Sequence, residues 1–259
     1  MGYIYHENAK LIRDYPEEPV LKWNKAVIIP GQRAAQVNAS AMSKDEVDQV
    51  LQKLDFMAHQ ANNEAIARML VSEADSVIAL VRIVKKEIGG AGVFAGIQGA
   101  GQQLDICWVR PRHIGGALIN KAGAANKAVW GQALVGTNGQ PVWAYSTFTA
   151  GTALDYLPSQ VMDDYAGMLH IGFIDPVINP HIDAFTATLS GRTTSAQTLK
   201  WNVRKAFDES VMPVAKIEMP ILVIPKATQS FSVMPTITNG DSKLELLSIL
   251  CGKAESLAL

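Results

Sequence analysis

Two histidines and an aspartate are the residues best suited to metal chemistry. His170, His181 and Asp183 lie within 14 positions of one another, and imidazole nitrogen with carboxylate oxygen can bind a divalent transition metal. His181 and Asp183 are two positions apart, so on a strand both side chains point to the same face. Asp175 lies between the histidines and could add an oxygen. The spacing matches no recognised ligand motif, so we name these residues as metal candidates while favouring an ordinary polar turn.

Two groups of residues could supply a nucleophile. Cys107 with His113 is the first, and the hydroxyl-rich run Ser190–Ser195 is the second. The chain has no G-x-S-x-G turn, and spacing alone brings no histidine to a serine, so the run favours a polar hairpin loop. Asp163-Asp164 could act as an acid and base pair, but adjacent carboxylates are more typical of the solvated face of a short helix. The sequence therefore predicts no catalytic residue.

A glycine pattern at Gly90–Ala95 has the outline G-x-G-x-x-A of a dinucleotide-binding turn. A true fingerprint follows a buried strand directly and opens a helix. Here the charged residues Lys85–Glu87 precede the pattern, and three further glycines follow it and would weaken any helix. A connecting loop is the favoured interpretation, and no cofactor is predicted.

Tryptophans beside basic residues could form a surface for single-stranded nucleic acid. Two places have this arrangement: Trp108 with Arg110 and Arg112, and Trp201 with Lys200, Arg204 and Lys205. Core tryptophans whose basic neighbours reach out to solvent are commoner. The net charge of -1 also gives no general attraction to a polyanion. Weak nucleic-acid contact is therefore the third interpretation of this chain.

The distribution of charge is the feature that points most directly to a function. Charged residues make up 18% of the chain, against roughly 25% in an average soluble domain. The 27 positions from Ala128 to Leu154 contain none. An uncharged stretch of this length is atypical of a surface that faces solvent throughout, and it is typical of an interface.

Cysteine usage and the apolar runs bear on location. The two cysteines, Cys107 and Cys251, are too few for a disulfide framework, which favours a reducing compartment. Residues 1–6 lack the basic and apolar regions of a secretory signal, and no window is apolar enough to span a bilayer. We expect a cytoplasmic or virion protein without a membrane span that is not secreted by a conventional signal.

The elements that must position these residues change in character along the chain. Residues 1–40 mix polar, aromatic and proline residues without a helical period, which predicts an extended arm. Residues near 43–88 predict a helical segment, and the remainder favours strands. The sequence therefore predicts an α+β fold with the arm at 1–40 and a single globular, β-rich body at 41–259.

The helical segment has a well-marked start. Ser43 and Glu46 form a capping box, in which each side chain accepts a hydrogen bond from the other residue's backbone N–H. Apolar residues at three-four spacing follow, as in an amphipathic helix. The run Val77–Val84 is rich in β-branched residues and fits either element, and we favour a helix that ends at Gly89.

Short apolar runs predict the strands of the body. Val129–Val135 and Val142–Thr149 predict a hairpin, because the Asn138-Gly139 pair between them accepts the positive φ of a tight turn. Seven further strands are predicted at Leu104–Val109, Leu169–Ile174, Ile182–Leu189, Thr198–Arg204, Ile217–Ile224, Phe231–Ile237 and Leu244–Cys251. Pro220 and Pro235 imply that some of these strands are edge strands or are bent.

These patterns lead us to expect a structural subunit that assembles with copies of itself, such as a viral or phage-like capsid, coat or shell protein. The arm at 1–40 and the uncharged stretch 128–154 are its predicted interface. The alternative is an oligomeric metal-dependent enzyme with a site assembled from distant loops, where His170, His181 and Asp183 would be the first ligands to consider. An enzyme is the less favoured of the two, because no polar constellation converges in the sequence.

Overall fold

The described part of the chain forms an α+β fold with a β-rich body. The structure, a computed structural model, describes residues 41–61, 63–88, 103–110, 113, 145–146, 149–174, 181–190, 197–202, 214–238, 241–242 and 244–257. The predicted arm at 1–40, the glycine pattern at 90–95 and most of the uncharged stretch lie outside these residues. The α+β class is confirmed, whereas the division into an arm and a single body stays a prediction.

Helices come first in the described chain, and strands follow. The helices are α1 (Lys44–Gln60), α2 (Glu64–Ser72), α3 (Ala74–Glu87) and the short α4 (Ala254–Leu257). The strands are β1 (Leu104–Trp108), β2 (Tyr145–Ser146), β3 (Leu154–Val161), β4 (Gly167–Ile174), β5 (Ile182–Ser190), β6 (Gln197–Asn202), β7 (Val214–Val223), β8 (Thr228–Pro235), β9 (Asp241–Ser242) and β10 (Glu245–Lys253).

Side-chain caps begin the first two helices. The predicted capping box at α1 is present, with Ser43 N donating to Glu46 Oε2 at 2.9 Å and Glu46 N donating to Ser43 Oγ at 3.3 Å. Asn63 caps α2 by accepting from the backbone N–H groups of Ala65 and Ile66. The polar break between the helices is therefore a new helix start rather than a loop.

Helix α3 is buried on every side along its middle. All residues from Ser76 to Val84 are buried, which is the condition under which a helix can be apolar all round. The β-branched run Val77–Val84 is thus helical, as favoured from sequence. Its nearly continuous apolar run, interrupted by the buried Arg82, reflects burial rather than strand structure.

The strands form two four-stranded antiparallel sheets and one short ribbon. The order β1-β10-β4-β7 defines what we call the inner sheet, and the order β3-β8-β5-β6 defines the outer sheet. The short strands β2 and β9 pair as a two-stranded ribbon. The partner predicted for the strand at 142–149 lies outside the described residues.

The inner sheet lies between the helices and the outer sheet. On one side, α3 contacts β4, β10 and β7. On the other side, Phe173 of β4 meets Phe185 of β5 with ring centroids 4.6 Å apart. The result is a three-layer arrangement of helices, inner sheet and outer sheet around one apolar core.

Burial along the strands follows from this layering. In β4 and β10, all residues are buried except Ile174, Glu245 and Lys253 at strand ends, because both faces of the inner sheet are covered. In β5 and β8, buried and half-buried residues alternate. The outer sheet therefore turns one face to the core and one face away from it.

Two glycines of β4 let the helices approach the inner sheet. A Cβ at Gly172 would lie 2.5 Å from the carbonyl oxygen of Ala215 and 2.8 Å from the sulfur of Met69 in α2. A Cβ at Gly167 would lie 2.8 Å from Leu80 Cδ1 in α3. Both contacts are shorter than van der Waals packing allows. The backbone oxygen of Ala215 cannot move aside, so position 172 requires glycine, whereas at position 167 the side chain of Leu80 would have to shift.

Irregular pairing occurs where the sequence contains proline. Along β7, the register shifts from Lys216 opposite Gly172 to Ile221 opposite His170, and Pro220 lies inside this break. β7 is an edge strand, so the missing N–H of proline is tolerated. The predicted bent or edge strand at Pro220 is confirmed, and Pro235 closes β8 at its last residue.

Two strands, β3 and the two-residue β9, were not predicted from the sequence, and one prediction is wrong. β3 covers Leu154–Val161, where Asp155 and Pro158 hide the apolar pattern. Asp163-Asp164 was expected on a short helix, but it lies in the turn between β3 and β4. There Asp163 Oδ1 accepts a hydrogen bond from Tyr165 N at 2.8 Å, which is the ordinary role of aspartate in a turn.

Among the helices of the described residues, none is both long and apolar enough to cross a membrane.

Candidate functional site

Three polar side chains meet between the inner and outer sheets. His170 of β4 lies with Nδ1 2.6 Å from Ser248 Oγ of β10 and with Nε2 2.8 Å from Gln229 Oε1 of β8. All three side chains are buried. We call this group the intersheet cluster.

The strands position the cluster through register and a bulge. His170 lies directly opposite Ser248 in the β4–β10 pairing, so the two side chains share one face. Ile171 is skipped in the pairing of β4 with both neighbouring strands. In a regular strand, residues three apart point to opposite faces. The bulge reverses this alternation, so His170 and Phe173 both contact the outer sheet.

The hydrogen bonds fix the tautomer of the histidine. Gln229 Oε1 can only accept, so His170 Nε2 carries the proton and donates it. His170 Nδ1 is then the acceptor for the Ser248 hydroxyl. The amide nitrogen of Gln229 faces the sulfurs of Met162 and Met168, each at 3.4 Å. The cluster is therefore neutral and hydrogen-bonded at each histidine nitrogen.

Burial keeps the histidine neutral. Removal from water lowers the pKa of His170 to about 4 from a reference value of 6.5, and the hydrogen bond to Gln229 opposes this shift in part. The ring of Phe231 lies edge-on at 4.9 Å between centroids. A proton on His170 would place a charge in this apolar surrounding, which is unfavourable.

The cluster has the hydrogen-bond direction of an activated serine but not its accessibility. A serine hydroxyl that donates to a neutral imidazole is the arrangement that prepares a nucleophile. Here Ser248 and His170 are each only 1% exposed, so no substrate reaches either atom in this conformation. The cluster can still take up a proton at His170, and its hydrogen bonds hold the two sheets in register.

Of the three metal candidates, His170 is already engaged. Both of its ring nitrogens take part in hydrogen bonds, so neither offers a lone pair to a metal in this geometry. Asp183 lies in β5, and His181 precedes that strand, where its carbonyl oxygen accepts from Thr236 N at 2.8 Å. In the part of the chain that the structure describes, no three metal-binding side chains come together. A site at His181 and Asp183 stays a prediction.

Cys107 and His113, the cysteine and histidine candidates for a nucleophile, lie in β1 and shortly after it. Cys107 pairs with Leu250 and Cys251 pairs with Ile106, which places the two cysteines on opposite faces of the inner sheet. Both are free thiols, and burial raises the pKa of Cys251. His113 is buried, and its Nδ1 accepts from Arg110 N at 3.0 Å in a local turn.

The predicted hairpin around the hydroxyl-rich run has the expected flanking strands. β5 and β6 pair antiparallel with Leu189 opposite Gln197. The connecting residues 191–196 lie outside the described part of the chain.

Trp108 serves the core rather than an exposed aromatic surface. It is half-buried and packs against the apolar core, and its Nε1 lies 3.5 Å from the carbonyl oxygen of Met57. Arg112 and residues 204–205 lie outside the described part of the chain, so nucleic-acid contact stays a prediction.

A second polar group joins the helices to the inner sheet. Glu73, at the start of α3, is fully buried, and its Oε1 lies 2.9 Å from Lys216 Nζ of β7. Ser76 Oγ donates to Glu73 Oε2 at 3.2 Å, and Lys216 Nζ also donates to Ser72 Oγ at 2.8 Å. The ion pair and these hydrogen bonds therefore connect the junction of α2 and α3 to β7.

The face of the outer sheet that points away from the core carries hydroxyl groups and no charge along its two central strands. Besides the pair Ala184 and Met234, six half-buried residues with hydroxyl groups share this face: Thr186, Thr188 and Ser190 of β5, and Thr228, Ser230 and Ser232 of β8. They lie in opposed pairs, such as Thr188 with Ser230. The single charged residue of these two strands is Asp183, at the irregular start of β5. We call this surface the hydroxyl face.

The helical layer differs in its charge. α1 alone contains six charged residues, Lys44, Asp45, Glu46, Asp48, Lys53 and Asp55. None of its charged residues is fully buried, as is usual for a helix that faces solvent. The two outer surfaces of the three-layer arrangement therefore differ strongly in charge.

One of the two edges of the inner sheet, β1, is protected against the addition of a further strand. Asp105 Oδ1 accepts from the backbone N–H of Ile106 at 2.8 Å, a group that a further strand would need. Lys53 of α1 pairs with Asp105 at 3.0 Å. A charged side chain held against an edge strand disfavours the addition of another strand.

Sequence reasoning missed Ser248, Gln229 and the hydroxyl face. A usable signal existed, because His170 and Ser248 are single polar residues within otherwise apolar strands. Gln229 likewise occupies an inward position in the alternation of β8. Their meeting depends on strand order, which the sequence did not specify.

Comparison with known proteins finds no family model that matches the chain and no curated protein with detectable sequence similarity. The interpretation of this protein therefore depends on its own residues and geometry.

Proposed function

We propose that this protein is a structural subunit that assembles with copies of itself, such as a capsid, coat or shell protein. The observation that carries the proposal is the hydroxyl face, an uncharged surface on the central strands of the outer sheet. Charged residues are depleted at the centre of protein interfaces. A sheet face that meets only water usually carries charges that also prevent association.

The surroundings of the hydroxyl face support the same function. In register, β3 places Asp155 beside Ser232, and β6 places Lys200 beside Thr186. The register therefore places one charged residue in each flanking strand and none among the hydroxyl pairs between them, as in an interface with an uncharged centre and a polar rim. The groups best suited to catalysis, His170 and Ser248, are sealed inside the fold.

The uncharged stretch 128–154 adds to this proposal. Of its described residues, those at 149–153 form an exposed turn that carries no charge. Gly151 in this turn has φ +70°, a conformation that favours glycine. Together with the arm at 1–40, the stretch is proposed to contribute further contacts between subunits.

Light scattering of the purified protein, followed by electron microscopy, tests the function. We expect particles, rings or sheets of defined size that contain many copies. A monomer at all protein and salt concentrations would overturn the proposal. Stoichiometric bound zinc, iron or manganese in a small oligomer would instead favour the metal-dependent enzyme, with His181 and Asp183 as the ligands to substitute.

Removal of residues 1–30 tests the contribution of the arm. We expect the truncated protein to keep its circular dichroism spectrum and to lose assembly. Unchanged particles would show that the arm is dispensable for assembly.

A further inference from the structure

We propose that the hydroxyl face binds the hydroxyl face of a second copy, so that two outer sheets pack face to face about a twofold axis parallel to the strands. This inference rests on the proposed function and names the surface that would carry it. It concerns the described strands β3, β8, β5 and β6 alone.

Electrostatics favours a second copy as the occupant. The charged groups of a charged partner surface would be desolvated on contact with Thr188 and Ser230. They would find no opposite charge there to compensate, so this contact is unfavourable. Two hydroxyl faces bring no like charges together at their centre. Threonine and serine hydroxyls both donate and accept hydrogen bonds, so identical surfaces can satisfy each other.

The strand order makes the edges of such a pair complementary. The order β3-β8-β5-β6 and an axis along the strands place β3 of one copy opposite β6 of the other. The register positions of Asp155 and Lys200 then come together at both edges of the pair. The same operation places Thr188 of one copy opposite Ser230 of the other near the centre, as an isologous contact requires.

The size of the face suits one contact among several. With four strands about 4.8 Å apart and roughly eight residues at about 3.4 Å each, the face covers about 500 Å² per copy, or about 1,000 Å² in a pair. This area is at the lower limit for a specific interface. Weak contacts of this size become stable when many are made at once.

The blocked edge of β1 supports face packing over strand addition. Asp105 accepts a hydrogen bond from the Ile106 backbone N–H, and its carboxylate forms an ion pair with Lys53. Copies that joined by extending the inner sheet at β1 would have to displace both contacts. Contact between faces needs no such rearrangement.

Two charge variants of the full chain test the inference. Thr188→Lys/Ser230→Lys places like charges opposite each other in the pair, and Thr188→Glu/Ser230→Glu does the same with the opposite sign. We expect each variant alone to require at least a tenfold higher concentration for assembly, while circular dichroism and thermal melting show a folded protein. An equimolar mixture of the two should assemble again, because lysine then faces glutamate.

Controls separate failure of this inference from failure of the proposed function. Gln52→Lys/Gln60→Lys adds the same charge to exposed positions of α1 and should leave assembly unchanged. If the unaltered protein is monomeric, the proposed function fails. If it assembles and the lysine variant assembles equally well, or if the mixture does not recover, the face-to-face pair is overturned while the function stands.

Discussion

The inner and outer sheets have the same number of strands and the same antiparallel pairing, yet they differ in sequence and role. The inner sheet is covered on both faces, and β4 and β10 are buried almost throughout. The outer sheet is covered on one face, and β5 and β8 alternate. The difference shows that the surroundings of a strand, rather than its pairing, determine its pattern.

The polar residues of the two sheets also differ. The inner sheet contributes His170 and Ser248 to a sealed cluster, where each polar atom must find a protein partner. The outer sheet presents hydroxyls that can exchange hydrogen bonds with water or with another copy. A polar residue is therefore a structural constraint in one sheet and a contact surface in the other.

The largest expected effect follows from enlarging a residue at the covered face of the inner sheet. Gly172→Val would drive a side chain into the Ala215 carbonyl oxygen and the Met69 sulfur. We expect a loss of about 3 kcal/mol or more in the free energy of unfolding, measured by urea denaturation, or insoluble protein. Ser159→Val, on the exposed side of β3, is the matched control and should change stability by less than about 1 kcal/mol. Equal effects would show that the two sheets are equally tolerant.

Acid should weaken the contact between the sheets through His170. Its pKa in the folded protein, about 4, is below the reference value of 6.5, so between these values the unfolded chain binds a proton that the folded protein does not. The free energy of unfolding therefore decreases as the pH falls from 6.5 toward 4. For a pKa shift of this size at His170, the decrease is about 3 kcal/mol.

Urea denaturation at several pH values measures this dependence. His170→Gln cannot titrate near neutral pH, so the difference between the two proteins isolates the histidine. Parallel pH profiles for both proteins would contradict a lowered pKa at His170.

The intersheet cluster should be cooperative. His170→Leu removes the acceptor of the Ser248 hydroxyl and the donor to Gln229, and we expect a loss of about 2 kcal/mol in the free energy of unfolding. The triple variant His170→Leu/Ser248→Ala/Gln229→Leu removes all three polar groups and should recover at least half of that loss. If the triple variant is less stable than the single one, packing volume rather than hydrogen bonding controls the site.

The smallest effect is expected at the solvent side of the helical layer. Ser43→Ala removes one half of the capping box and should lower the free energy of unfolding by about 1 kcal/mol. Lys44→Ala, at the adjacent exposed position, is the control and should be close to neutral. A loss at Lys44 equal to that at Ser43 would show that α1 depends on surface charge rather than on its cap.

Local patterns in the sequence predicted most of the elements but not their arrangement. The capping box, the helical run Val77–Val84 and the bent strand at Pro220 each follow from properties of a few adjacent residues, and each is confirmed. β3 was missed because Asp155 and Pro158 interrupt its pattern. The strand pairs β4–β10 and β3–β8 join residues 67 or more positions apart, and no local signal encodes them.

The candidate site divides in the same way. His170 was singled out from its residue type, but only as a metal candidate beside its neighbours in sequence, His181 and Asp183, with a polar turn as the favoured interpretation. Its neighbours in space are Ser248 and Gln229, brought to it by strand order and by the bulge at Ile171. The hydroxyl face required both the alternation of β5 and β8 and their pairing to become visible.

The sequence by itself determined the α+β class, the helix start at Ser43 and the scarcity of charge, because each depends on composition or on spacing within one or two turns of chain. Only the tertiary structure decided which strands are covered on both faces, which polar residues meet between the sheets, and which surface is left without charge. These features depend on contacts between segments that are distant in sequence. Such contacts form, and stabilise the protein, only when the layers pack together.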